Sequence, residues 1–142
     1  MRLLIMLLIV LFNTFALAGQ GERIKHGPQA VEKRLFVSFS MPESLLKQSF
    51  EQAERLHVTV ILNGLMDNSM PKTALILSEM TRRYPELSIQ IDPVAFEDFG
   101  IDAVPTLVVS KGKIFDVVRG NLALSDALVL IHERGDLKGE VL

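Results

Sequence analysis

Apolar residues along the chain follow two repeats, one typical of strands and one typical of helices. Compact apolar runs rich in residues that favour pleated sheets predict five strands, over 35–39, 58–62, 88–91, 106–109 and 113–118. Apolar residues at helical spacing predict four helices between and after these strands. The predicted order is therefore β-α-β-α-β-α-β-β-α.

Start and stop signals delimit the helices. The first is predicted to end near His57, and the second to run from Pro71 to Tyr84, ahead of a further proline. A third, of two turns, follows Asp92, a residue typical of helix N-caps. The last begins at Leu124, with Ser125 a plausible internal cap, and ends before Gly135.

The element order predicts an α/β fold with a mixed sheet. The helix between the first two strands is long enough to be the right-handed crossover of a parallel pair. The turn at Ser110-Lys111-Gly112 is so tight that the strands on either side of it must be antiparallel neighbours. We therefore expect parallel units followed by a hairpin, with helices on both faces of the sheet.

Residues 1–33 differ in pattern from the predicted domain. Arg2, an unbroken apolar run over 3–12 and a small-x-small triplet ending at Ala18 predict a signal peptide over 1–18, cleaved before Gly19. An uncleaved N-terminal anchor is the alternative. Residues 19–33 are predicted to be a flexible leader, 34–135 a single domain and 136–142 a loose tail.

Composition narrows the classes of function. The chain of 142 residues has 15 Lys and Arg against 17 Asp and Glu, with no Trp and no Cys. This balance, without a basic block, gives no electrostatic reason to expect nucleic acid as a partner. No apolar stretch approaches the roughly 20 residues that a transmembrane helix needs. Since disulfide exchange requires thiolates, thiol redox catalysis is excluded, and we expect a soluble, exported protein.

Residues able to act in catalysis or bind metal form no characteristic pattern. His26, His57 and His132 lack the spacing of a metal site, and neither a metal nor another cofactor is expected. Ser40 and Glu43 match a capping box, so we expect Ser40 to cap the first helix rather than act as a nucleophile. A catalytic triad whose members are distant in sequence and are brought together by the fold remains an alternative. The sequence therefore favours a protein that is not an enzyme.

The stretch from Gly100 to Val109, followed by Lys111-Gly112-Lys113, resembles the second half of a thioredoxin-fold domain. Pro105 matches the cis-proline of that fold, with an ordinary trans proline at a strand start as the alternative. The Cys-x-x-Cys of redox-active members corresponds to residues 40–44, which here are Ser-Met-Pro-Glu-Ser. Residues 63–84 resemble the helical insertion of the periplasmic disulfide isomerase branch.

The export signal, the segment from Phe36 to Glu43 and the absence of cysteine from such a fold resemble the TrbC family of type-F conjugative transfer systems. The resemblance covers roughly residues 34–134. It implies a periplasmic, non-enzymatic role in conjugative pilus assembly and mating-pair formation. It also implies an assembly component resembling TraW as a partner, and we add pilin as a second candidate.

In the thioredoxin arrangement, the backbone beside the cis-proline can receive an extended peptide through main-chain hydrogen bonds. The predicted surface, called here the candidate docking surface, comprises Ser40, Met41, Pro42, Glu43, Val104, Pro105 and Thr106. Met41, Pro42, Val104 and Pro105 would form its apolar floor. The alternative is that Met41 and Val104 only pack against each other. Two other functions stay open, a general periplasmic holdase and an envelope hydrolase on this scaffold.

Overall fold

The computed structural model describes residues 29–142, which form one sheet with four helices. The predicted signal peptide, its cleavage site at Ala18 and Gly19, and most of the predicted leader lie outside these residues. In chain order the elements are β1 (Glu32–Val37), α1 (Glu43–Arg55), β2 (Thr59–Leu62), a 3-10 turn (Met66–Asn68), α2 (Met70–Arg83), β3 (Ile89–Ile91), α3 (Pro93–Asp98), β4 (Thr106–Lys111), β5 (Ile114–Arg119) and α4 (Leu124–Arg134).

The five strands form a mixed sheet in the order β3-β2-β1-β4-β5. β1, β2 and β3 run parallel, while β4 is antiparallel to both β1 and β5. Gly112, with a φ of 63°, provides the left-handed residue at the tip of the β4–β5 hairpin. The predicted parallel units and the hairpin are therefore confirmed.

Side chains alternate between the two faces of the sheet, and each face has its own core. Leu35 and Val37 point into the larger core, which α1 and α4 cover with buried apolar residues of their own. Phe36 points to the opposite face, where it meets Ala95 and Phe96 of α3. The Phe36 and Phe96 rings pack edge to face, with centroids 4.9 Å apart. Helices therefore cover both faces, as the pattern predicted.

One predicted helix cap is confirmed by the structure, and another is wrong. The Asp92 carboxylate accepts the Ala95 N–H at 3.0 Å and caps α3 as expected. Ser125 does not cap α4. The first residue of α4, Leu124, instead donates its backbone N–H to the side-chain oxygen of Gln52 on α1, at 2.6 Å. The prediction for Ser125 was wrong because a residue distant in sequence occupies that position in space.

Both ends of the predicted domain differ from expectation. β1 begins at Glu32, before the predicted start of the domain, and ends at Val37 rather than at residue 39. The tail after Gly135 is not loose, because Leu137 and Val141 are only 2% and 3% exposed and belong to the larger core. The Asp116 carboxylate of β5 accepts the Leu137 N–H at 2.9 Å and holds the start of the tail in place. Among residues 29–142, no helix has the length and apolar character to cross a membrane.

Candidate functional site

Strand pairing brings the two halves of the candidate docking surface together. Phe36 near the end of β1 is paired with Thr106 at the start of β4. Because the two strands are antiparallel, the chain leaving β1 and the chain entering β4 lie at the same end of the sheet. Val104 also packs against the core that contains Met41. Residues that lie more than sixty positions apart in sequence therefore form one surface.

A tight turn, rather than a capped helix start, connects β1 to α1. The Met41 N–H donates to the Ser38 carbonyl at 3.1 Å, and the Ser38 N–H contacts the Met41 sulfur at 3.5 Å. The Ser40 hydroxyl lies 2.9 Å from the Ser38 hydroxyl. No side chain caps α1, whose N-cap is Pro42. The prediction that Ser40 caps this helix was wrong, because the turn directs its hydroxyl toward Ser38.

On the other half of the surface, the Val104–Pro105 peptide bond is cis, as the resemblance predicted. The Pro105 carbonyl accepts the Gly120 N–H at 3.0 Å, and the Thr106 hydroxyl donates to the Ala103 carbonyl at 2.7 Å. Within residues 29–142, neither the N–H nor the carbonyl of Val104 has a hydrogen-bond partner. Val104 therefore has backbone groups available to an extended segment, as strand addition requires.

Burial divides the predicted residues into two sets. Met41, Pro105 and Thr106 are buried, and Met41 belongs to the larger core. Val104 packs against the same core, so Met41 and Val104 both have a packing role in the fold. Side chains that a partner could reach are Ser40, Pro42 and Glu43, with Val104 partly buried beside them. The accessible part of the candidate docking surface is thus more polar than predicted.

A groove with both polar and apolar lining residues, which the sequence pattern did not reveal, adjoins this surface. It lies at the carboxyl ends of β1 and β2 and is lined by Ser38, Phe39, Ser40 and residues 62–67. Asp67 and Asn68 both have positive φ, a conformation that Asn and Asp tolerate better than most residues. The Asn63-Gly64 pair directly after a buried strand could have indicated the turn that lines this groove, because such pairs favour turns.

The polar groups of this surface have few partners within the surface itself. The described residues contain no group of three His, Asp or Glu side chains placed to hold a metal ion. The Ser40 hydroxyl has another hydroxyl as its hydrogen-bonding neighbour, and a hydroxyl is not the base that activates a serine nucleophile. What this surface presents is the unpaired backbone of one residue, Val104, beside the exposed polar side chains of Ser40 and Glu43.

Comparison with known proteins identifies relatives of the chain. Residues 35–131 match the model of a family described as the type-F conjugative transfer system pilin assembly protein. The periplasmic protein TrbC of Escherichia coli (strain K12) is 34% identical over 103 residues, covering 72% of this chain and 49% of that protein. This chain therefore spans about half the length of that curated relative.

A solved structure shows the same fold. StoA from Bacillus subtilis has a TM-score of 0.50 with this chain at 12% identity, covering 72% of this chain and 82% of that one. At this identity the likeness concerns the fold alone. It confirms the predicted thioredoxin-like class, here without a cysteine at any position.

Proposed function

The chain belongs to the family of type-F conjugative transfer system pilin assembly proteins, and from this we propose that it is a non-catalytic, periplasmic assembly factor for the conjugative pilus. In this proposal it binds another assembly component or pilin through the candidate docking surface. The observation that supports this most is the free backbone of Val104 beside the cis-Pro105 bond. An extended segment can pair with such backbone without any thiol.

The partner in this proposal is a periplasmic component resembling TraW, or pilin itself. The name of the Escherichia coli relative places that protein in the periplasm, which supports the same compartment for this chain, exported by a signal peptide cleaved after Ala18. Main-chain pairing supplies affinity, while the exposed Ser40, Pro42 and Glu43 side chains supply selectivity. The absence of cysteine from the chain supports assembly rather than disulfide chemistry.

The test is co-purification of the tagged mature protein from periplasm, followed by quantitative mass spectrometry. It is performed in cells with and without a complete type-F transfer system. We expect selective recovery of one assembly component or of pilin in the first strain. Recovery of many unrelated proteins from both strains would instead indicate a holdase, and recovery of nothing specific would contradict the proposed function.

The burial of each side chain decides which variants can test the candidate docking surface. Met41→Asp is unsuitable because a charge placed in the core unfolds the domain rather than blocking a partner. The double variant Ser40→Arg with Glu43→Arg alters exposed positions and should abolish recovery. The matched control makes the same changes on the exposed side of α4, at Ser125 and Glu133, and should retain it. If both variants recover the partner protein equally, the interface lies elsewhere on the domain. That result would not contradict the proposed role in assembly.

A further inference from the structure

β5 forms one edge of the sheet, and within residues 29–142 no strand pairs with its outer side. Just beyond β5, the Gly120 N–H donates to the Pro105 carbonyl across the hairpin, at 3.0 Å. The backbone groups of an antiparallel strand face alternate sides from one residue to the next, so this register fixes which residues face outward. The outward-facing residues are Phe115, Val117 and Arg119. Their N–H and carbonyl groups are available to another strand.

The two edges of the sheet differ in how well they resist such pairing. β3, the other edge, has only three residues, and Pro93 follows it closely. β5 has six residues and contains neither proline nor lysine, the residues with which proteins commonly protect a long edge strand. The carboxylate of Asp116 is bonded to N–H groups of the tail, while Ile114 and Phe115 are 52% and 43% exposed. β5 is therefore the edge suited to pairing.

Phe115 offers an aromatic ring on the face of the sheet that α3 covers. The ring packs edge to face against Phe99, with centroids 5.2 Å apart. The guanidinium of Arg34 lies 5.4 Å from the centroid of the Phe99 ring, so an arginine already lies over an aromatic ring on this face. Arg119 pairs with Asp102 at 3.4 Å on the surface, and such exposed pairs contribute little. Arg119 can therefore cover Phe115 of a neighbouring strand.

Pairing of β5 with β5 of a second copy has one register that fits. When Val117 lies opposite Val117 of the second copy, Phe115 faces Arg119 and Asp116 faces Val118. Moving the symmetry axis one residue toward the turn would set two Asp116 carboxylates opposite each other, which is unfavourable. Moving it one residue the other way would remove Arg119 from its place opposite Phe115. The register centred on Val117 therefore combines the free backbone groups with matched side chains.

We propose that the protein forms a symmetric homodimer in which the β5 strands of two copies pair antiparallel about Val117 and join the two sheets into one. Three pairs of residues then exchange two main-chain hydrogen bonds each. The pairing occupies the long edge of each copy and leaves only the short β3 edges, so assembly stops at two copies. This inference does not rest on the candidate docking surface or on its role in pilus assembly.

The mass of the mature protein in solution tests the dimer directly. Sedimentation equilibrium is recorded at protein concentrations from the micromolar to the millimolar range. Because the paired segment is short, we expect a weak dimer, with the average mass rising from that of one chain to that of two and no further. A monomer at every concentration, or growth into larger assemblies, would overturn the proposal.

Variants of the outward-facing residues test which surface holds the dimer. Val117→Pro removes an N–H that β4 does not use, a change that edge strands tolerate, and should abolish the dimer. Phe115→Arg places two arginines opposite each other and should do the same. The matched control Val94→Arg, at a position on α3 that is 60% exposed, should leave the dimer intact. Circular dichroism checks that each variant is folded. A dimer that persists in both β5 variants, or that Val94→Arg dissociates as completely, would contradict the proposal.

Disulfide trapping tests the register, since a chain without cysteine gives no background. Val117→Cys faces its own copy across a hydrogen-bonded pair, where Cα atoms lie about 5.5 Å apart, a distance that a disulfide can bridge. Phe115→Cys faces Arg119 instead and is the control. We expect a covalent dimer from the first variant alone after mild oxidation. Equal cross-linking of both variants, or of neither, would show that β5 does not pair about Val117. None of these results depends on the outcome of the co-purification.

Discussion

Gln52 shows how one side chain connects two helices at the residue scale. It belongs to α1, yet its side-chain oxygen accepts the N–H of Leu124, the first residue of α4, at 2.6 Å. The first N–H groups of a helix have no partner inside the helix, and here no residue near Ala123 supplies one through a side chain. The amide of Gln52 therefore both caps α4 and fixes it against α1.

Gln52→Ala is expected to lower the free energy of unfolding by about 1 kcal/mol, since a helix cap is lost. The measurement is urea denaturation followed by circular dichroism. Gln48→Ala is the matched control, because Gln48 lies one turn earlier on α1 and is exposed. Equal denaturation midpoints for the two variants would show that the Gln52 contact does not stabilise α4.

Tyr84 makes stability depend on pH at the alkaline end. Burial, with a smaller contribution from the Glu51 carboxylate, raises the pKa of Tyr84 above its usual value of 10.0. The folded state therefore retains the phenol proton more strongly than the unfolded state does. The resulting stability is fully present below pH 10.0 and is lost as the pH rises through the pKa of the folded protein.

The expected result is that stability falls more steeply above pH 10.0 in the native protein than in Tyr84→Phe. Comparing the two proteins removes the contribution of lysines that titrate nearby. Tyrosinate absorbance, which reports this one tyrosine alone, should show a midpoint above 10.0. A midpoint at or below that value would contradict the burial of the hydroxyl.

The C-terminal tail behaves as a structural element although it is neither helix nor strand. Leu137 and Val141 enter the larger core, and the Asp116 carboxylate accepts the N–H groups of Asp136 and Leu137, both at 2.9 Å. The Gly139 N–H also donates to the His132 carbonyl at 3.0 Å, near the end of α4. The tail thus closes the core beside β5.

Leu137→Ala is expected to cost about 3 kcal/mol of stability, because a buried leucine leaves a cavity in the core. Leu142→Ala, at a position that is 72% exposed, should leave stability unchanged within about 0.5 kcal/mol. Thermal or urea unfolding measures both variants. Similar stabilities would mean that the tail does not contribute to the folded core.

At the scale of the whole molecule, one sheet separates two cores that are joined at its end. Val104 packs against both of them. The larger core contains residues from α1 and α4, from the tail and from Tyr84 beside the insertion. Because these parts share buried contacts, we expect the domain to unfold in one cooperative transition.

Circular dichroism and tyrosine fluorescence test this expectation, since the first follows the helices and sheet and the second follows Tyr84. Their urea transitions should coincide in the native protein, and both should shift equally in Leu137→Ala. A fluorescence transition at lower urea would show that α2 and its surroundings unfold before the rest.

Local sequence determined much of the fold. Strands appeared as compact apolar runs, helices as apolar residues at helical spacing, and the hairpin as a tight turn ending at Gly112. The Asp92 cap was predictable because its partner lies three residues away. These features depend on interactions between near neighbours, so a short stretch of sequence is enough to predict them. The resemblance to known families added the cis bond before Pro105.

Tertiary structure decided the features that depend on distant residues. Pairing of Phe36 with Thr106 brought the candidate docking surface together, yet packing against the core buried Met41 within it. Gln52 rather than Ser125 caps α4, and Asp116 holds a tail that has no periodic pattern of its own. A groove lined by residues of both α1 and α2 exists only where these two helices meet. Since these contacts join positions far apart in sequence, no local pattern contains them, and only the packed fold brings their partners within reach.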